Sequence, residues 1–194
     1  MKKIFAFALA VIVLAGISAC KGSGKGIDAD VITIGDKTVK IEKGDNFSVS
    51  NWGDEPEYFK NDETLKEAPV LLNNITIGSD IDDVIKAFGI KPGYAAVDRE
   101  IDTSGDGTTD IVTEEYKNCD FFSKEKVLDA SFMFAYRFEN DKWNMLPYKE
   151  LEAIPEEGDK TGNTLIYNID FLGGQLADES PLKEKQVISF SVRR

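Results

Sequence analysis

The segment Ser131 to Phe138 alternates without a break: Phe132, Phe134, Tyr136 and Phe138 fall at every second position, with Met133, Ala135 and Arg137 between them. Successive side chains of an extended chain point to opposite faces, so bulky aromatics at period two specify a half-buried β-strand and do not fit one face of a helix. The pattern recurs at Thr164 to Leu172 (Leu165, Tyr167, Ile169, Phe171) and at Val187 to Val192. Val31 to Ile34 and Thr38 to Ile41 flank Gly35-Asp36-Lys37, which predicts a β-hairpin with a short turn. Tyr94 to Ile101 and Asp110 to Tyr116 flank a Gly-rich turn, and Glu139-Asn140-Asp141-Lys142 turns into a strand over Trp143 to Leu146. Residues 44–69 are polar and punctuated, Asn51 to Pro56 is expected to be loop or edge material, and Trp52, Tyr58 and Phe59 either pin the stretch to the core or are exposed contact residues. Twelve Phe, six Tyr and two Trp supply the bulk of a core built on a sheet.

The clearest helical period is Asp80 to Phe88. Ile81, Val84, Ile85 and Phe88 recur at i, i+3, i+4 and i+7 and make one apolar stripe. Ser79 is the expected N-cap, with Asp82 placed to complete a capping box, and Asp80, Asp82 and Asp83 complement the helix dipole in the first turn. Gly89 suits the left-handed residue after the helix, and Pro92 blocks its continuation. One helix among many strands predicts an α+β fold: mainly antiparallel sheet, in hairpins and a meander, with one principal amphipathic helix packed on it.

The first twenty residues, MKKIFAFALAVIVLAGISAC, have a different purpose. Lys2 and Lys3 precede an apolar run from Ile4 to Ile17 that is short for a transmembrane span, which needs ~20 apolar residues. Ser18, Ala19 and Cys20 follow, and the whole resembles a bacterial lipobox, with Ile17 where Leu is commonest. The resemblance implies a signal peptide over 1–19, cleavage before Cys20, lipidation of its thiol and acylation of the new N-terminus. Several acyl chains anchor a protein stably, since each buried CH₂ contributes ~0.8 kcal/mol. Residues 20–29 then form a Gly/Ser-type tether, and 30–194 a single domain. Loss of Lys2 and Lys3 takes the formal charge from −12 to −14. A body so acidic is repelled by anionic headgroups, which leaves the anchor to hold it at the extracytoplasmic face of the cell membrane. It also argues against binding to nucleic-acid phosphates. With Cys20 lipidated, Cys119 has no partner for an internal disulfide, and its acidic and aromatic surroundings mark it as a small core residue with a raised pKa.

The run Asn74-Ile-Thr-Ile-Gly-Ser-Asp-Ile-Asp-Asp-Val-Ile-Lys-Ala-Phe-Gly89 resembles a helix entry found in BLIP-like (β-lactamase-inhibitor-protein-like) domains, a group that includes the BamE/SmpA outer-membrane assembly lipoproteins. It looks closer still to uncharacterised surface lipoproteins of Firmicutes, in which a short hairpin precedes this helix and a β-meander follows. The family implies a domain that binds proteins or scaffolds assemblies. The residues carrying the likeness have folding roles: Gly78 permits the strand-to-helix turn, and the stripe packs on the sheet.

The chain has no histidine, which excludes Ser-His-Asp, Cys-His and His-zinc chemistry. One segment suggests a ligand: Asp102-Thr-Ser-Gly-Asp-Gly-Thr-Thr-Asp110 resembles extracellular calcium loops. Asp102, Ser104, Asp106 and Asp110 would offer side-chain oxygens and Thr108 its carbonyl, in a weak site of the ~10⁻⁴–10⁻³ M class. Ser104 and Thr113 depart from that pattern, and a plain hairpin turn accounts for the same residues. The function expected is a membrane-anchored, non-enzymatic binding or scaffolding domain with an unidentified protein or envelope ligand and no required cofactor. The alternative is a hydrolase of envelope or extracellular glycans using paired carboxylates.

Overall fold

The computed structural model describes residues 29–51, 56–61, 63–65, 70–101, 108–122, 127–154, 160–173 and 182–194. In chain order these contain β1 (Val31–Ile34), β2 (Lys37–Lys40), β3 (Asn46–Ser50), β4 (Glu57–Lys60), β5 (Glu63–Thr64), β6 (Val70–Leu72), α1 (Ile81–Phe88), β7 (Ala96–Ile101) and β8 (Asp110–Glu115). A 3-10 turn at Cys119–Phe122 leads to β9 (Val127–Glu139), β10 (Lys142–Met145), α2 (Tyr148–Leu151), β11 (Thr164–Leu172) and β12 (Val187–Arg193). Among the described residues the strands form a three-stranded sheet, β2-β1-β6, and a nine-stranded one, β5-β4-β3-β12-β11-β9-β7-β8, with β10 beside β9. The fold is thus mostly antiparallel β-sheet with few helical residues.

β9 organises the large sheet. Its first half pairs with β7 and its last four residues with β10, so two strands share one edge end to end. β11 runs along the other edge, from Arg137↔Thr164 to Asp129↔Leu172. The expected alternation places Phe132, Phe134 and Tyr136 in the core opposite Tyr167 and Ile169 of β11 and Phe190 and Val192 of β12. Phe134 and Tyr167 stack with ring centroids 5.0 Å apart, and Phe88 of α1 leans on both, at 5.0 and 5.2 Å. The buried hydroxyls in this cluster are satisfied: Tyr136 donates to the Phe88 carbonyl and Tyr167 to that of Ala29. Phe138, last in the alternating run, is 40% exposed.

One stretch without an assigned element holds strands, and one expectation needs correction. Within the polar stretch 44–69, β3 lies inside the large sheet, between β12 and β4, while Trp52 and most of the expected loop at 51–56 lie outside the described residues. Phe47 and Val49 are buried between Ser and Asn positions, a stretch too short to stand out until both neighbours pair with it. Ser79 does not cap α1. The N-cap is Asp80, without a side-chain cap bond, and Ser79 Oγ instead accepts from the Thr76 amide at 3.1 Å, closing the turn before the helix. Backbone contacts to the chain ahead of β12 hold this helix start, with Ile81 N donating to Lys185 O at 3.0 Å. Gly78 (φ 82°) and Gly89 (φ 62°) occupy the left-handed region, as their roles at the two ends of the helix require. Among the described residues no helix is long and apolar enough to cross a membrane.

Candidate functional site

Of the residues singled out from the sequence, Cys20, Asp102, Ser104 and Asp106 lie outside the described residues. Thr108 and Asp110 are both exposed, and Asp110 opens β8 opposite Ile101. Cys119 is half-buried in the 3-10 turn, packed against the core, with Tyr116 Oη 3.9 Å from its sulfur. Its pKa is raised, first by burial; Asp82 and Asp120 add to the shift, while the Tyr116 hydrogen bond and Lys185 oppose it. The thiol is therefore kept neutral more by desolvation than by its acidic neighbours.

The strands that turn alternate side chains into the core must turn the others out. On β7 these are Ala96, Asp98 and Glu100; on β9, Asp129, Ser131, Met133, Ala135 and Arg137; on β11, Ile166, Asn168 and Asp170; on β12, Ser189 and Ser191. This second face of the sheet has two parts. At one end Leu146, Leu151 and Ile154 lie on Ala96, Ala135 and Ile166, and α2 is pinned there by an Arg137–Glu150 ion pair at 2.9 Å. At the other end register brings carboxylates and hydroxyls together: Glu100 stands opposite Asp129, Asp98 opposite Ser131, Ser131 opposite Asp170, and Asp170 opposite Ser189.

The electrostatics of this strip follow from that crowding. Burial, the charges of Glu100 and Asp170, and a hydrogen bond to Glu100 push the Asp129 carboxyl up from 3.8 to about 6. Asp170 accepts from Ser189 Oγ and, at 3.1 Å, from Asn168 Nδ2, while Glu100 accepts from Thr109 Oγ1 at 2.6 Å. One Asp98 carboxylate oxygen is buried with no hydrogen-bond partner among the described residues. The strip can accept hydrogen bonds or positive charge and can hold a proton into mildly acidic conditions. Among the described residues no group of three or more His, Cys, Asp or Glu side chains could hold a metal ion.

No sequence motif marks these residues. Their signal is only that polar positions alternate with apolar ones, as Asp129 and Ser131 do around Ala130, or Asn168 and Asp170 around Ile169. Which of them meet depends on pairing between strands distant in the chain. Comparison with family models, with curated proteins and with solved structures returns no match for this chain.

Proposed function

We propose that this protein is a lipid-anchored, extracytoplasmic binding domain without enzymatic activity. Cys20 and the apolar run before it support the anchor. The binding role is carried by the polar strip of the large sheet, where four strands bring Glu100, Asp129, Asp170 and Ser189 together beside the part that α2 covers. Such a strip suits a ligand that donates hydrogen bonds or carries positive charge. The finer view of the fold, with α1 as the principal helix seated on the core face, is supported by burial of Ile81, Val84 and Phe88. Kinship with BLIP-like and BamE/SmpA-like lipoproteins rests on the Asn74–Gly89 run alone. The raised Asp129 pKa also suits a carboxylate hydrolase. Against that, Asp129 and Glu100 are hydrogen-bonded to each other, whereas glycosidase carboxyls stand ~5 Å or more apart across the scissile bond.

Two outcomes are expected. Cys20→Ser moves the protein from the membrane to the soluble or secreted fraction; a variant still fully membrane-bound on fractionation would refute the anchor. A photo-crosslinker at Ser131 in intact cells captures a discrete partner, and Asp129→Asn with Asp170→Asn removes that adduct. An adduct unchanged by the double substitution would show that the strip is not the binding surface.

A further inference from the structure

The described chain begins at Ala29, and that point is fastened to one end of the large sheet. The Asp30 carboxylate meets Lys40 at 3.2 Å and the Arg194 guanidinium at 3.6 Å. Arg194 lies over the Trp143 ring at 5.1 Å, and Trp143 packs on Phe138 with centroids 5.1 Å apart. Two side chains, Arg194 and Trp143, therefore link Asp30 to Phe138. Among the described residues Phe138 and Ile111, at 40% and 74% exposure, are the exposed large hydrophobics. They mark opposite ends of the sheet. Ile111 is level with Asp129 through Glu100, and Asp129 lies nine residues from Phe138 along β9, about 30 Å at strand spacing.

Charge is divided between the same two ends. Around Phe138, Lys40, Lys43 and Lys142 are exposed, and the two most buried carboxylates are already paired, Asp30 as above and Asp45 with Lys60 at 3.2 Å. Glu42, Glu139 and Asp141 are exposed there too, so this end is close to neutral. At the Ile111 end stand Glu100, Asp110, Asp129, Asp170 and Glu184 against Lys183 and Lys185, and the Arg99 side chain on β7 points to the opposite, core face. Among the described residues, the end with the Phe–Trp pair, where Ala29 and Asp30 lie, is therefore the less negative one.

We infer that this end docks on the bilayer, with Phe138 in the headgroup region and Lys43 and Lys142 toward lipid phosphates. The inference rests on lipidation of Cys20. From Cys20 to Ala29 the chain reaches at most about 30 Å, so the anchor keeps this end close to the membrane. Trp and Tyr rings favour the interfacial zone, and Phe is among the apolar side chains that bury at the headgroup boundary. An anionic leaflet repels the acidic end and turns the near-neutral one toward itself. Docking there leaves the acidic strip facing away from the lipid, open to a ligand.

The test uses the full lipidated chain carrying Trp52→Phe, so that Trp143 is the sole tryptophan. It is reconstituted in phosphatidylcholine/phosphatidylglycerol vesicles with and without nitroxide-labelled lipid. Expected is a loss of Trp143 emission when the nitroxide lies near the headgroup. Phe138→Asp and the milder Phe138→Ser restore emission while the protein still floats with the vesicles, and Ile111→Asp changes nothing. Floating protein with equal emission in both vesicle types overturns the docking and leaves the anchor standing. So does quenching relieved by Ile111→Asp as much as by Phe138→Asp. Protein recovered from cells without acyl chains overturns both.

Discussion

Asp129 shows how one side chain can be set against the fold that contains it. Its folded pKa of about 6 lies above the ordinary 3.8, so the native state binds its proton more tightly than the unfolded chain does. The sign follows: its contribution to stability is complete below about pH 4, declines as pH rises toward 6, and is lost above that. A shift of about two pKa units corresponds to about 3 kcal/mol at full strength. The group is only half-buried, and solvent screening brings the expected effect to about 1 kcal/mol. Asp129→Asn is therefore expected to stabilise the protein at pH 7 by about that amount and to make little difference at pH 4. Urea denaturation at the two pH values checks this; equal effects at both would show that proton binding is not the cause. The same residue illustrates what sequence alone conveys. Its alternation with Ala130 announces an outward position, but Glu100 and Asp170, which raise its pKa, come from other strands.

At the level of elements, the junction between β11 and β9 is the tightest close approach among the described glycines. Gly173 follows β11 and donates its amide to Leu128 O at 2.8 Å, and a Cβ there would lie 2.2 Å from Val127 O and 2.4 Å from Leu128 O. These backbone atoms of β9 cannot give way as a flexible side chain can. Gly173→Ala is expected to cost about 3 kcal/mol. Gly44→Ala provides the contrast: its φ of +88° is strained for alanine, yet a Cβ meets nothing within 4 Å, so the expected cost is ~1–2 kcal/mol. Comparing urea midpoints of the two variants tests the difference, and equal midpoints would refute it. Elements with strong local patterns were legible in advance: β9, β11 and β12 by alternation, and α1 by its i, i+3, i+4, i+7 stripe. β3 and β4 were not, because two or three apolar residues among polar ones carry too little pattern. The Ser79 assignment failed for another reason. A serine before a helix can bond into the helix or back into the preceding turn, and here the turn takes it.

Across the whole molecule, Arg194 fastens parts that are far apart in the chain. Its guanidinium donates to Gly162 O and Ile41 O, both at 2.8 Å, pairs with Asp30 and covers Trp143, while its backbone exchanges hydrogen bonds with Gly44 and Asp45. The small sheet, the large sheet and the start of the described chain meet at this one residue. Arg194→Ala leaves the Ile41 and Gly162 carbonyls to water and is expected to cost about 2 kcal/mol. Amide exchange should then speed up first at Ile41 and Gly44; a variant with unchanged exchange there would show that the clamp contributes nothing. By itself the sequence determined that the segments of strong alternation are extended, which face of each is apolar, where α1 runs, and that histidine chemistry is excluded, because these depend on residue type and local period. Only the tertiary structure decided strand order, the place of β3 inside the sheet, the meeting of Glu100, Asp129 and Asp170, and the closure at Arg194. Each is fixed by register and packing between segments dozens of residues apart, and a local period carries no information about which strand will be its neighbour.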